Sequence, residues 1–211
     1  MIEILIADDH AIVRAGLKQC VNDTKDIIVK DEANDGEEAL KKALQNDYDV
    51  ILLDITMPGR NGLDIIKEVK NQKPKVKILV LTIHPEEQYA MRVLKAGASG
   101  YLTKESAPQE LISAIRKVAS GGRYISSSLA DKLVFEIGAK KENDNNYQSL
   151  SDREYQVMCM TAAGAKLNNI AEELSISVKT VSSYRSRILR KLNLANTAEL
   201  IRFAIDNQLV S

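Results

Sequence analysis

The chain has 211 residues, of which 45% are hydrophobic, 27% are charged and 4% are aromatic, and its 29 basic and 29 acidic side chains balance to a net charge of zero. This composition is typical of soluble globular proteins, and the length suffices for one or two domains, each with its own core. It excludes a membrane-spanning protein, because no apolar run approaches the roughly 20 residues that cross a bilayer.

The first residues, MIEILIADDH, predict a β-strand over 2–7. They do not resemble a signal peptide, because the apolar run is short, two acids follow it and no basic segment precedes it. Cys20 and Cys159 lie far apart in apolar helical patterns, so we interpret them as buried free thiols and not as a disulfide. A reducing cytoplasm is therefore the expected compartment.

Short apolar, β-rich runs alternate with helical patterns through the first half of the chain. The predicted strands are 2–7, 27–33, 50–54, 77–82 and 100–103, and the predicted helices are about 11–21, 36–46, 62–72, 86–97 and 107–119. Strands that alternate with helices predict a parallel sheet covered on both faces. In this architecture, functional groups gather at the carboxyl ends of the strands.

Polar side chains stand at the carboxyl ends of four predicted strands. They are Asp8 and Asp9 directly after the first strand, Asp54 and Thr82 as the last residues of the third and fourth strands, and Lys104 directly after the fifth. Crowded carboxylates repel one another and call for a cation, and all-oxygen ligands suit a hard ion such as Mg²⁺. With the metal and Lys104 to neutralise charge, Asp54 is a candidate nucleophile for a phosphoryl group.

Other interpretations of this region remain open. Asp54 could serve only as a structural cap at the end of its strand. His10 beside two aspartates suggests a transition-metal site, although one histidine without a second nitrogen or sulfur ligand is weak support. His84, two residues after Thr82, either borders the phosphoryl group and affects its lifetime or is an exposed loop residue. The side chain of Thr56 could likewise affect hydrolysis.

The pattern changes after residues 121–122. Residues 128–138 predict a short helix, and 139–149 is polar without periodicity, which predicts a linker. Four helical patterns then follow with no strand signals, at 152–163, 168–174, 178–192 and 197–207. We therefore predict an α/β domain over 1–120, a linker with a short helix over 121–149 and a small all-α domain over 150–211.

The third of these helices is strongly basic, since 179–191 holds five basic residues and no acid. Helical periodicity places Val181, Tyr184, Ile188 and Leu192 on one apolar face. The candidate DNA contacts elsewhere on the helix are Lys179, Thr180, Ser182, Ser183, Arg185, Ser186, Arg187, Arg190 and Lys191. With the tight turn at 175–177 before it, this helix resembles the second helix of a helix-turn-helix that enters the major groove. A solvated surface helix is the alternative.

Several separated motifs carry a resemblance to a known family. ADDH, LLDITMPGRNG, VLT and GASGYLTK, in this order, resemble the receiver domain of bacterial two-component response regulators, and residues 150–207 resemble the LuxR-type effector domain. The whole chain is thus similar to NarL/FixJ-type response regulators. The resemblance implies a flavodoxin-like five-stranded parallel sheet in the order 2-1-3-4-5, followed by a four-helix helix-turn-helix domain.

The resemblance also implies roles for individual residues. Asp54 is the phosphoacceptor, and Thr82 and Lys104 contact the phosphoryl group. Tyr101 is the aromatic switch residue, which turns inward as Thr82 moves toward the phosphoryl group. The implied Mg²⁺ ligands are Asp8, Asp9, Asp54 and the backbone carbonyl of Thr56.

The expected function is therefore a switch and not an enzyme. A sensor histidine kinase phosphorylates Asp54, which controls dimerisation and binding to double-stranded promoter DNA. In the family the last helix forms the dimer face, although by its pattern it could simply close the core. One alternative is a DNA-binding transcription factor that ignores phosphorylation and has a vestigial receiver. Another is an aspartyl-phosphate hydrolase, which usually needs a second acid where Thr56 stands.

Overall fold

A computed structural model of the chain describes residues 1–126, 129–131, 146–207 and 209–210. The chain divides into two compact units, Met1–Leu133 and Val134–Ser211. Of the short helix predicted at 128–138, only 129–131 are described, and they are helical, while most of the predicted linker lies outside the described residues. Within the described ranges, no helix combines the length and apolar character that crossing a membrane requires.

The first unit is built on a five-stranded parallel sheet in the order β2-β1-β3-β4-β5, which confirms the predicted fold. The strands are β1 (Ile2–Ala7), β2 (Ile27–Ala33), β3 (Val50–Leu53), β4 (Lys77–Thr82) and β5 (Gly100–Thr103). The intervening helices are α1 (Ala11–Asn22), α2 (Gly36–Gln45), α3 (Gly62–Gln72), α4 (Glu86–Lys95) and α5 (Ala107–Ala119). Each crossover contains a helix, because parallel neighbours cannot be joined by a tight turn.

The sheet is buried on both faces, which explains the continuous apolar runs. Successive side chains of a strand point to opposite faces. Ile4, Ile6 and Leu52 belong to the core that packs against α1 and α5. Their neighbours Leu5 and Ile51 face the other way and are equally buried. Because both faces are occupied by apolar groups, polar chemistry is confined to the ends of the strands.

The described part of the second unit, residues 146–207 and 209–210, contains a short 3₁₀ helix (Asn146–Ser149), which lies in the segment predicted as linker, and four α-helices. The α-helices are α6 (Asp152–Ala162), α7 (Leu167–Glu173), α8 (Val178–Leu192) and α9 (Thr197–Asp206). Ser151, Ser177 and Asn196 cap the starts of α6, α8 and α9 by accepting hydrogen bonds from backbone N–H groups. These caps satisfy N–H groups that have no partner inside the helix, and so they determine where each helix begins.

Candidate functional site

The carboxyl edge of the sheet brings Asp8, Asp54, Thr82 and Lys104 together. The Lys104 ammonium lies 2.6 Å from Asp8 Oδ2 and 2.6 Å from Asp54 Oδ2, so it bridges the ends of two neighbouring strands. Asp8 and Asp54 are buried, with exposed fractions of 1% and 3%, and Thr82 is fully buried. Two buried carboxylates that share one ammonium form a strongly polar centre at the edge of a largely apolar core.

Backbone contacts hold the two carboxylates in place. Asp54 Oδ1 accepts a hydrogen bond of 2.9 Å from the Thr56 N–H, and Asp8 Oδ1 accepts one of 2.8 Å from the His10 N–H. Each carboxylate therefore has one oxygen fixed by the backbone and the other paired with Lys104. Both side chains are preorganised as a result, and neither has to be ordered before it can react.

The loop after Asp54 is fixed by close packing at two glycines. A Cβ on Gly62 would lie 2.5 Å from Ile55 Cα, and a Cβ on Gly36 would lie 2.3 Å from the Arg60 carbonyl oxygen. No side chain fits at either position, because real Cβ atoms do not approach other atoms so closely. These glycines let two helix starts press against the loop that carries Asp54 and Thr56.

The protonation of the centre follows from burial and charge. Burial raises the pKa of Asp54 above its ordinary value, although Lys104 and the Thr56 N–H oppose this effect. Burial alone would lower the pKa of Lys104, but the carboxylates of Asp54 and Asp8 outweigh it and raise that pKa. Lys104 is therefore charged at neutral pH and is the cation that balances the buried carboxylates.

The donor set at this edge fits a hard divalent cation. Ligand atoms of Asp8, Asp9 and His10 lie within 4.8 Å of one another. His10 is 62% exposed, and its Nδ1 lies 2.9 Å from Asp9 Oδ1. Asp8 and Asp54 share the ammonium of Lys104, and Asp9 lies close to Asp8, so the carboxylates at this edge outnumber the ammonium that pairs with them. Mg²⁺, which takes carboxylate and carbonyl oxygens, suits this excess better than a transition metal, for which His10 offers one nitrogen.

Arg14 supports the same edge and was not among the predicted site residues. Its Nη1 donates a 2.7 Å hydrogen bond to the Asp8 carbonyl, and its Nε lies 3.3 Å from Glu32 Oε2. The guanidinium thereby ties α1 to the loop that carries the acids. The sequence signal that could have identified Arg14 is a basic residue on the helix directly after the ADDH motif.

His84 lies at the centre of a hydrogen-bonded cluster over the site. Its Nε2 is 2.9 Å from Thr56 Oγ1, and its backbone N–H donates to Thr82 Oγ1 at 3.4 Å. Its ring packs against Tyr89 with the centroids 4.7 Å apart. Burial, with a smaller effect from Lys104, lowers the pKa of His84, so the imidazole is neutral at pH 7. Of the two interpretations left open, the structure favours the one in which His84 borders the site.

Tyr101 points inward in this structure. Its side chain is buried, and its hydroxyl donates to the His84 carbonyl at 2.9 Å. Tyr101 on β5 is therefore connected through His84 to Thr82 on β4 and to Thr56 beyond β3. The predicted switch residue and Thr82, one of the two predicted phosphoryl contacts, belong to one network.

The segment after α5 returns to the edge of the sheet. Tyr124 forms a parallel bridge with Gly100, and the Tyr101 N–H donates to the Tyr124 carbonyl at 2.9 Å. The Ser126 hydroxyl donates to the Glu86 carboxylate at the start of α4. The chain that leaves the first unit thus contacts both β5 and α4, an arrangement that the sequence patterns did not predict.

In the second unit, α8 buries the apolar face that was predicted. Val181 and Ile188 are fully buried and Leu192 nearly so, while Tyr184 is half-buried and stacks under Arg187. The predicted DNA contacts divide by exposure. Thr180, Ser182 and Arg185 are half-buried, and Lys179, Ser183, Ser186, Arg187, Arg190 and Lys191 are exposed.

The last helix serves the core and also exposes apolar surface. Leu200 and Ala204 of α9 are fully buried, so one face of the helix closes the core of the unit. Ile205 is 55% exposed on the same helix. The interpretation that α9 closes the core and the interpretation that it forms a dimer face are therefore compatible with each other.

Known proteins match the chain over nearly its whole length. Residues 4–116 match the family described as response regulator receiver domain, and residues 148–204 match the bacterial regulatory proteins of the luxR family. Response regulator UvrY of Escherichia coli (strain K12) is 44% identical over 205 residues, which cover 97% of this chain and 94% of UvrY. Response regulator GacA of Pseudomonas aeruginosa is 37% identical over 210 residues, which cover 100% and 98%.

A solved structure is similar over both units. RcsB from Salmonella enterica serovar Typhimurium, bound to promoter rprA in the presence of the phosphomimetic BeF3⁻, has 28% sequence identity and a TM-score of 0.61 to this chain. The similarity covers 96% of this chain and 97% of RcsB. The order of the two domains is therefore the same in both proteins.

Proposed function

We propose a switch based on Asp54 for this chain, which belongs to the NarL/FixJ-type two-component response regulators and joins a receiver domain to a LuxR-type DNA-binding domain. The chain regulates transcription, as its relatives do. We assign the receiver to residues 1–120, the linker to 121–149 and the DNA-binding domain to 150–211. In this proposal a sensor histidine kinase is the phosphoryl donor, and the switch operates in the cytoplasm, where the DNA is.

The geometry around Lys104 is the observation that carries this proposal. An oxygen of the Asp54 carboxylate attacks the phosphorus, and the bond to the donor histidine nitrogen breaks. The Lys104 ammonium, 2.6 Å from Asp54 Oδ2, is close enough to pair with an oxygen of the transferred group. The Thr82 hydroxyl donates to another of these oxygens. Preorganised donors that meet developing charge are the main source of catalysis in phosphoryl transfer.

We assign the metal site to Asp8, Asp9, Asp54 and the backbone carbonyl of Thr56. Mg²⁺ held there would neutralise charge on the phosphoryl oxygens. Asp8 is the best supported ligand, because it is buried beside Asp54 and its carbonyl is held by Arg14. His10 is better explained as a partner of the Asp9 carboxylate, from which its Nδ1 is 2.9 Å away.

The hydrolase alternative is less well supported. A phosphoaspartate hydrolase of this type usually needs a second acid two residues after the nucleophile. That residue is Thr56, whose hydroxyl is hydrogen-bonded to His84. The chain therefore acts as a phosphoacceptor that holds the group, and its output is DNA binding.

The signal leaves the site through Thr82, His84 and Tyr101. When Thr82 turns toward the phosphoryl group, its hydrogen bond from the His84 N–H is lost. The loop at His84 then moves, and with it the carbonyl that holds Tyr101. Because the segment at 124–126 contacts β5 and α4, this movement reaches the chain that leads to the DNA-binding domain. Phosphorylation shifts the balance between two states because the phosphoryl group interacts more favourably with one of them than with the other.

The output is a dimer on promoter DNA. The exposed basic and hydroxyl groups of α8 enter the major groove, with arginines at phosphates and at bases. Ile205 on α9 gives the apolar contact for a second copy of the chain, since it is exposed while its neighbour Ala204 is buried. The structure of RcsB with promoter DNA and BeF3⁻ supports the DNA-binding part of this output by similarity.

A direct test compares DNA binding with and without a phosphoryl mimic. We expect BeF3⁻ with Mg²⁺ to raise the affinity of the full-length protein for duplexes selected from a random library by roughly 5- to 150-fold, as for typical allosteric couplings. Fluorescence anisotropy measures this affinity. An Asp54→Asn variant should show no response. Equal wild-type affinities in both conditions would support the alternative of a vestigial receiver.

The contact between His84 and Thr56 predicts a shorter phosphoryl lifetime when it is removed. The His84→Ala variant should dephosphorylate about fivefold faster, the factor that one net hydrogen bond of about 1 kcal/mol represents, because water then reaches the site more easily. Phosphate-affinity gels after removal of the donor measure this rate.

The partner variant provides the control for this contact. Thr56→Val removes the same hydrogen bond from the other side, so the double variant should dephosphorylate no faster than either single variant. Additive effects of the two substitutions, or a His84→Ala rate equal to that of wild type, would show that the contact does not limit access of water.

A further inference from the structure

Lys191 stands apart from the other basic residues of α8. Its Nζ lies 2.6 Å from Glu154 Oε2 on α6, and it is 3.4 Å from the Ser149 carbonyl oxygen, to which it donates. Arg187, in contrast, lies over the ring of Tyr184 on its own helix. Lys191 therefore connects the end of α8 to the start of α6 and to the chain that enters the domain.

Glu154 requires this partner. Its side chain is only 5% exposed, so its carboxylate is largely removed from water. Oε2 also accepts a 2.8 Å hydrogen bond from the Ser151 N–H, as part of the capping box that begins α6. Burial alone would raise the pKa of Glu154, but Lys191 and Ser151 outweigh this effect and lower it. The group is therefore charged at neutral pH, and a buried charge is stable only when it is paired.

The charges of Glu154 and Lys191 also match the dipoles of the helices on which they lie. Glu154 is in the first turn of α6, where the helix dipole favours negative charge, and Lys191 is in the last turn of α8, where it favours positive charge. Both electrostatic contributions hold the end of α8 against the start of α6. A shift of α8 along or around its axis would break the contact.

We propose that Lys191 is a positioning residue, which sets the orientation of α8 through Glu154, and that it does not serve as a contact to the DNA backbone. This inference rests on the proposed DNA-binding role of α8. It replaces the role that the sequence pattern suggested for Lys191, which helical phase places, like Arg185, at an edge of the apolar face, where a basic group would neutralise a phosphate. The contact to Ser149 further links the orientation of α8 to the chain that arrives from the linker.

Salt dependence distinguishes the two roles of Lys191. A lysine or arginine that contacts a phosphate contributes about 0.9 to the slope of log affinity against log salt, and its loss weakens binding to all sequences alike. A positioning residue affects only contacts that depend on orientation. It lowers affinity for the preferred sequence and leaves the slope and the affinity for random duplex unchanged.

The experiment uses the full-length protein and two DNA probes, a duplex selected from a random library by the wild type and a random-sequence duplex. Affinities are measured from about 50 to 200 mM salt. Lys191→Gln should weaken binding to the selected duplex about tenfold, as expected for loss of one charge-assisted hydrogen bond. Its salt slope and its affinity for the random-sequence duplex should equal those of the wild type. Arg187→Gln is the matched control, and its slope should fall by about 0.9.

A second variant changes Glu154, the other member of the pair. Glu154→Gln keeps an acceptor for the Ser151 N–H but removes the charge that holds Lys191. If Lys191 positions α8, this variant weakens binding to the selected duplex as much as Lys191→Gln does, and the double variant is no weaker. If Lys191 contacts DNA, its release leaves affinity unchanged or raises it.

The possible results distinguish failure of the positioning role of Lys191 from failure of the DNA-binding role of α8. A Lys191→Gln slope lower by about 0.9, together with undiminished binding by Glu154→Gln, would overturn the positioning role. Failure of the wild type to select any duplex would overturn the DNA-binding role instead. All affinities are measured below the lowest melting midpoint among the variants, determined by circular dichroism, so that unfolding does not contribute.

Discussion

Replacement of Asp54 by asparagine is expected to abolish phosphorylation of the full-length protein by acetyl phosphate in the presence of Mg²⁺. Asparagine keeps the size of the side chain and can accept the hydrogen bond from the Thr56 N–H, which is 2.9 Å long in the wild type. It lacks the anionic oxygen that attacks phosphorus, so no stable phosphoryl bond can form. Phosphate-affinity gels and intact mass spectrometry both measure the modified fraction.

An exposed acid provides the control for this variant. Asp64, on the first turn of α3, is exposed, and Asp64→Asn should be phosphorylated at the wild-type rate. Labelling of Asp54→Asn at a comparable rate would mean that another group is the acceptor. Peptide mapping would then identify it, with Asp8 and Asp9 as the nearest carboxylates on the same edge of the sheet.

The sheet could be predicted because its signals are local. Each strand is an apolar run only a few residues long, and β3 (Val50–Leu53) ends just before Asp54, one residue earlier than predicted. Since the carboxyl ends of parallel strands meet at one edge, the polar residues that follow the runs had to be close together. The pairing of Lys104 with both Asp8 and Asp54 is the geometric result of that rule.

The remaining contacts could not be predicted because they join residues far apart in the chain. Thr56 and His84 are separated by 28 positions, and Glu154 and Lys191 by 37. Helical phase places Lys191 at the edge of the apolar face of α8 and Arg190 on the opposite face. It cannot show that Lys191 pairs with Glu154, because that contact depends on how α6 packs against α8. The return of Tyr124 to the sheet depends likewise on Gly100, where any Cβ would lie 2.7 Å from the Tyr124 carbonyl oxygen.

Lys104→Gln is expected to have two large effects, one on reactivity and one on stability. Phosphorylation by acetyl phosphate should slow by roughly 10²- to 10³-fold, as when one preorganised donor is removed from a site of developing charge. In EDTA, the free energy of unfolding should fall by about 3 kcal/mol, because Asp8 and Asp54 lose the buried cation that they share. The chain has no tryptophan, so circular dichroism in urea is the suitable measure of unfolding.

Two further variants test whether the stability effect comes from the carboxylates. Lys41→Gln, at an exposed position on α2, should match the wild type in both measurements. Adding Asp54→Asn to Lys104→Gln removes one of the two unpaired buried charges, so the double variant should be more stable than Lys104→Gln alone. If the two substitutions were instead additive, each destabilising by its own amount, Lys104 and Asp54 would not be energetically coupled. The ion pair would then not hold Asp54, and the assignment of Lys104 to the phosphoryl group on Asp54 would lose its structural basis.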